Sequence, residues 1–245
     1  MEQNMTALVS LFARAYHQKN KDIKIFDDLL STKLITEKEY EMFGLNMSQG
    51  ISFFNPTFKG SEEEALKWIV DHQLSPSVLV RSAFCKEAIE DKRQRCKDVD
   101  IENIQFLSID LSQENWINTL LQGDYQEDQL SISSMLGLSY YLTKDEFKKM
   151  LKQLSKYLLK GSRLVFDYPS IQESKETKIN EMLAKEADES MKAKYSFAEL
   201  KEILNQCHLT IIQHENHQTV TEKYISNYNA YYKDDPIKAP EGVCY

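Results

Sequence analysis

Apolar residues recur at three- and four-residue spacing through the first 75 positions. Leu8, Leu11, Phe12 and Ala15 mark one face of a helix over Met5 to Tyr16. Thr36 followed by Glu39, and Ser61 followed by Glu64, have the spacing of capping boxes and predict two more helix starts. The second of these leads into a stripe of Leu66, Ile69 and Val70. Between them "GISFFNPTFKG", with its proline and flanking glycines, reads as loop. Ser75 and Pro76 open a long helix through "SVLVRSAFCKEAIEDKRQRCKD", apolar on one side in its first half and densely charged in its second.

Beyond residue 100 the pattern alternates. "IQFLSIDL", "LSISSMLGL", "RLVFDY" and "LTIIQHENH" read as strands, the third ended by Pro169. Helices are predicted between them, at "QENWINTLLQ", at "TKDEFKKMLKQLSKYLLKGS" with Thr143 as N-cap and Gly161 as stop, and at "SFAELKEILNQCH". "SKETKINEMLAKEADESMK" predicts a polar helix that could act as a mobile cover. Strand–helix alternation of this kind predicts an α/β fold with a mainly parallel sheet. Ligands of such sheets sit beyond the C-terminal strand ends. That directs attention to Asp110 and Leu111, to Met135 through Tyr141, and to Asp167 and Tyr168.

Composition narrows the chemistry. A hydrophobic content of 42% supports a packed core, and a net charge of −8 argues against nucleic-acid binding and against a polybasic membrane anchor. No secretory leader and no membrane-length apolar run is present, so a cytoplasmic protein is expected. Cys85, Cys96, Cys207 and Cys244 form no CxxC pair and read as reduced thiols. The seven glycines never fall within five residues of one another, which excludes a P-loop and the GxGxxG fingerprint. Cys207, His208, His214 and His217 resemble a metal cluster in composition. On a strand, however, His214 and His217 would face opposite sides, and no metal site is expected. Tyr224, Tyr228, Tyr231 and Tyr232 fall on one helical face, which suits core packing or an aromatic lid.

At "SPSVLVRSAF", "FLSIDL", "GLSYYLTKDEF" and "GSRLVFDY" the chain resembles the leucine carboxyl methyltransferase family, most closely its bacterial branch of polyketide-type O-methyltransferases. The resemblance implies an N-terminal helical cap over 1–75 and a Rossmann-like methyltransferase sheet over 76–245. It also implies S-adenosylmethionine as methyl donor and a small-molecule carboxylate or hydroxyl as acceptor. Arg81 matches the arginine that grips the donor's carboxylate, for which a planar guanidinium is suited; the alternative is a surface arginine. Asp110 and Leu111 match the pair that holds adenine, the acid accepting from the exocyclic amine; the alternative for Asp110 is a helix cap. Leu136 and Gly137 match the strand end beneath the donor, where glycine allows close backbone approach; a tight strand exit explains Gly137 equally.

One part of the family pattern has no counterpart. "EAIED" passes directly into "KRQR" where a strand, a Gly-rich turn, a helix and a second strand ending in a ribose-binding acid are expected. A βαβ-sized piece, roughly 30 residues or more, is thus missing near Asp91 and Lys92, and the sheet is expected to be incomplete. Two functions follow: a donor-dependent O-methyltransferase whose general base the sequence does not name, or a remnant of that lineage that no longer binds the donor.

Overall fold

Short polar side chains set the helix starts. The computed structural model describes residues 5–84, 107, 109–172, 174–186 and 190–245. In it the side chains of Thr36, Ser61 and Thr143 each accept from the backbone N–H three residues on, and Glu39, Glu64 and Glu146 each return the bond. Two otherwise unsatisfied N–H groups are thereby paired at each start. The described chain is a mixed α/β protein with many helices and small sheets. It divides into two compact units. Among the described residues no helix is long and apolar enough to cross a membrane.

The first unit draws on Met1–Phe84, Glu173–Ser190 and Glu215–Val243. Helices α1 (Met5–Asn20), α2 (Ser31–Leu34), α3 (Glu37–Gln49), α4 (Ile51–Phe54) and α5 (Glu62–Ile69) surround a core centred on Phe12. The rings of Tyr16, Tyr40 and Phe43 lie 6.2, 5.2 and 6.0 Å from the Phe12 ring. The "GISFF" stretch, expected as loop, closes one helical turn as α4, and Phe54 is buried there. Pro76 does not start a new helix. The chain passes from α5 through a π-turn at Val70–Leu74 into a helix over 75–84, α6. A proline lacks the N–H that an α-turn would use and crowds the preceding carbonyls. The wider turn, in which Ser75 N–H donates to the Val70 carbonyl, carries the helix past it.

The polar helix α9 (Lys175–Glu186) contributes Ile179 to the same core. The last pieces of the unit are α11 (His217–Val220), a second π-turn at Thr221–Ile225, and α12 (Ser226–Tyr231). The extra residue of the π-turn shifts the phase of the tyrosine stripe: Tyr228 is buried while Tyr231 is exposed.

The second unit draws on Cys85–Gln172, Met191–His214 and Cys244–Tyr245. Strands β1 (Ile132–Met135) and β2 (Arg163–Phe166) pair in parallel, Ile132 opposite Arg163 and Met135 opposite Phe166. Helix α8 (Lys144–Tyr157) connects them and buries Phe147, Met150, Leu151 and Leu154, the i, i+3, i+4, i+7 stripe of an amphipathic helix. Helices α7 (Trp116–Gln122) and α10 (Phe197–Gln206) add Trp116, Ile117, Leu200, Ile203 and Leu204 to that core. A two-residue strand at Tyr168–Pro169 continues from β2.

Half of "IQFLSIDL", and the seam at Asp91 and Lys92, lie outside the described residues. Its end keeps strand-like alternation, with Ile109 and Leu111 packed on the core and Asp110 exposed. Over 209–214 no strand forms. Leu209 and Ile211 pack inward and Ile212 outward, as alternation demands. Alternation gives a strand only where a neighbouring edge supplies hydrogen bonds, and no described strand lies alongside this stretch.

Candidate functional site

The C-terminal ends of β1 and β2 are joined by one buried carboxylate. Asp167 follows β2 directly and is fully buried. Its Oδ1 accepts the backbone N–H of Gly137 at 2.6 Å, and its Oδ2 accepts the Tyr140 hydroxyl at 3.1 Å. The Ser139 hydroxyl donates to the Asp167 carbonyl at 2.6 Å. The loop after β1 is thus hung on the end of β2. Parallel register explains the meeting, because Met135 and Phe166 are opposite and the next residues emerge together. Leu136 and Gly137 stand at this junction, and Gly137 has φ +71°, a conformation that disfavours any side chain.

A stretch near residue 192 closes over the loop. Lys192 N–H donates to the Tyr140 carbonyl at 2.7 Å, and Tyr195 N–H donates to the Pro169 carbonyl at 2.9 Å. Tyr195 is fully buried, and its hydroxyl has no hydrogen-bond partner among the described residues. Burial pushes its pKa well above the usual phenol value.

Asp110 is exposed and sits on a turn of its own making. Its Oδ1 accepts from both Ser112 N–H (2.9 Å) and Ser112 Oγ (2.7 Å), while its Oδ2 accepts from the Gln113 amide at 3.2 Å. These bonds, Ser112 Oγ foremost, and the nearby Lys192 charge hold the carboxyl below the usual range. The helix itself starts later, at Trp116, so Asp110 caps a turn and not a helix. Leu111 is packed against the core of the second unit.

Arg81 stands partly buried on α6 of the first unit. Of the residues singled out in the sequence, Leu136, Gly137, Tyr140 and Asp167 are brought together by direct hydrogen bonds or chain adjacency.

The sequence pointed to Ser139 only as part of the stretch Met135 through Tyr141, and to His214 only as a metal ligand that was not expected. His214 Nε2 lies 2.8 Å from the Tyr168 hydroxyl and its ring stacks 4.1 Å from Phe197. Tyr168 also hydrogen-bonds the Cys244 thiol, and burial raises the pKa of both groups. Cys207 and Cys244 are free thiols. A short hydroxyl residue two positions past a glycine at a strand end was the available signal for Ser139. For His214 no local signal exists, because its partner is 46 residues away.

The sequence profile of the leucine carboxyl methyltransferase family matches this chain over residues 7–99 and again over 89–155. The two stretches overlap at 89–99, around the seam near Asp91. YktD of Bacillus subtilis (strain 168), provisionally named as an S-adenosyl-L-methionine-dependent methyltransferase, is 25% identical over 300 residues. That alignment takes in 100% of this chain and 97% of the relative. It runs over 300 positions against 245 residues, so about 55 positions of the relative have no counterpart here. Matched over more than half its length, the chain belongs to the leucine carboxyl methyltransferase family of S-adenosylmethionine-dependent methyltransferases.

Proposed function

We propose that the second unit is a Rossmann-like methyltransferase core and that the chain methylates a carboxylate or hydroxyl oxygen of a small molecule. Family membership carries this reading. The joined ends of β1 and β2, with Gly137 at the junction, supply a place for it of the kind such sheets use. The acidic surface favours a small acceptor over nucleic acid or an anionic membrane, and the free buried thiols suit a reducing cytoplasm.

S-adenosylmethionine, when bound, supplies an electrophilic methyl group on a sulfonium. The described residues fit its adenine end. The turn at Ser112 pins one oxygen of Asp110, and among the described residues the other is met by a glutamine amide at 3.2 Å, leaving an oriented acceptor for an exocyclic amine. Arg81 suits the donor's carboxylate. The ribose and the methionine chain find no such fit: the chain has no closely spaced glycines and lacks about 55 positions of its relative. A carboxylate acceptor would need no base. A hydroxyl acceptor would need one.

That gap favours a second reading, in which the chain is a remnant of the lineage that no longer loads the donor. Calorimetric titration of the whole chain with S-adenosylmethionine separates the two. Micromolar binding, weakened at least ~10-fold by Arg81→Ala and by Asp110→Ala, is the expected result for the methyltransferase. A folded sample that gives no heat decides for the remnant.

A further inference from the structure

We propose that Asp167 is a positioning residue, holding the 137–140 loop in the single conformation that presents its backbone to a ligand; this rests on the functional reading above. A fully buried carboxylate needs donors around it, since burial without them is strongly unfavourable. Here the donors come from the loop itself: Gly137 N–H to one oxygen and Tyr140 Oη to the other, with Ser139 Oγ on the carbonyl of the same residue. An apolar residue would fill that place at less expense of hydration, so the carboxylate is better explained by the specificity it confers than by stability.

The bonds have a consequence for geometry. The Gly137 N–H is turned onto the buried carboxylate at φ +71°, which fixes the course of the loop at the strand end. The Lys192 amide fixes the same loop from the other side, through the Tyr140 carbonyl. The Lys192 charge also acts on Asp110 and on Glu146 at the start of α8. Asp167 acts through the bonds it makes to Gly137, Ser139 and Tyr140.

The test uses the whole chain with three substitutions: Asp167→Asn, which replaces an accepting oxygen by a donor, Tyr140→Phe and Ser139→Ala. Three quantities are read: hydrogen exchange at the Gly137 amide, the dissociation constant for S-adenosylmethionine, and Tm. In Asp167→Asn, Gly137 exchange should accelerate about 10-fold or more, and the dissociation constant should rise by a similar factor while Tm stays within a few degrees. The two milder variants should show smaller changes in the same direction. A lowered Tm with unchanged donor affinity means a merely structural role and overturns the proposal. If Asp167→Asn does not fold, Tyr140→Phe and Ser139→Ala decide, and wild-type values of exchange and affinity in both overturn it. If the wild-type chain takes no donor, the functional reading fails separately. Gly137 exchange then decides alone, and unchanged exchange in Asp167→Asn overturns the proposal.

Discussion

His17 shows what one side chain contributes inside the first unit. It is buried on α1, and its Nε2 accepts the Ile25 N–H at 3.0 Å. Burial, with the charges of Lys21 and Lys24, lowers its pKa from 6.5 to about 4. An unfolded chain therefore takes up this proton below pH 6.5, while the folded chain does not until about pH 4. Stability from His17 is complete above pH 6.5 and is lost as pH falls toward 4, by about 3 kcal/mol in all. Urea unfolding at a series of pH values should show this slope in the wild type. It should be flatter in His17→Gln, whose side-chain oxygen can still accept from Ile25. Beside it Lys21 and Asp71 form a buried ion pair at 2.5 Å, and Asp71 also meets Lys67 at 3.2 Å. None of this was legible in the sequence. A histidine, a lysine and an aspartate scattered over 55 positions carry no sign that they will be buried together.

Secondary-structure elements were legible where their causes are local. The capping boxes at Thr36, Ser61 and Thr143 were plain in the sequence because a cap and its partner lie three residues apart. The stripe of α8 was equally plain. Its Phe147 is fully buried, with the rings of Phe166 and Tyr195 at 5.7 and 5.5 Å. Phe147→Ala should lower stability by about 3–5 kcal/mol, the cost of a large aromatic cavity, read as a shift in the denaturant midpoint at constant slope. The stretch 209–214 was legible only in part. Its alternation is real, but a strand also needs an edge to pair with, and the sequence does not say whether that edge exists. Asp110 makes the same point in the candidate site: an acid before Ser112 and Gln113 was recognisable as a cap, yet it caps a turn six residues ahead of the helix. Gly137 and Asp167 were recognisable as strand ends. The bond between them depends on the register of β1 against β2, which only the folded chain sets.

At the scale of the molecule the first unit is discontinuous. The segment 215–243 lies some 130 residues beyond the first 84, yet it closes their cluster of charges. Asp235 meets Lys67 at 2.6 Å and His72 at 3.0 Å, the Tyr232 hydroxyl accepts from Asp22 N–H at 3.1 Å, and the Lys21 ammonium lies 5.5 Å from the Tyr232 ring. A chain shortened to end at His214 loses all of these partners. Amide protection in α1 and α5 should then collapse; retained protection there would mean that the first 84 residues stand alone.

This discontinuity also sets a timetable for synthesis. The first 84 residues leave the ribosome with Lys21 and Asp71 already made but Tyr228, Tyr232 and Asp235 still unread. At ordinary elongation rates the wait is roughly 10–30 s. Through that interval the nascent helices lack the segment that packs on His17, whose ring lies 5.8 Å from that of Tyr228, and that pairs Lys67 and His72 with Asp235. The protein is then most open to chaperone binding and to aggregation, and slowing translation late in the message lengthens that exposure.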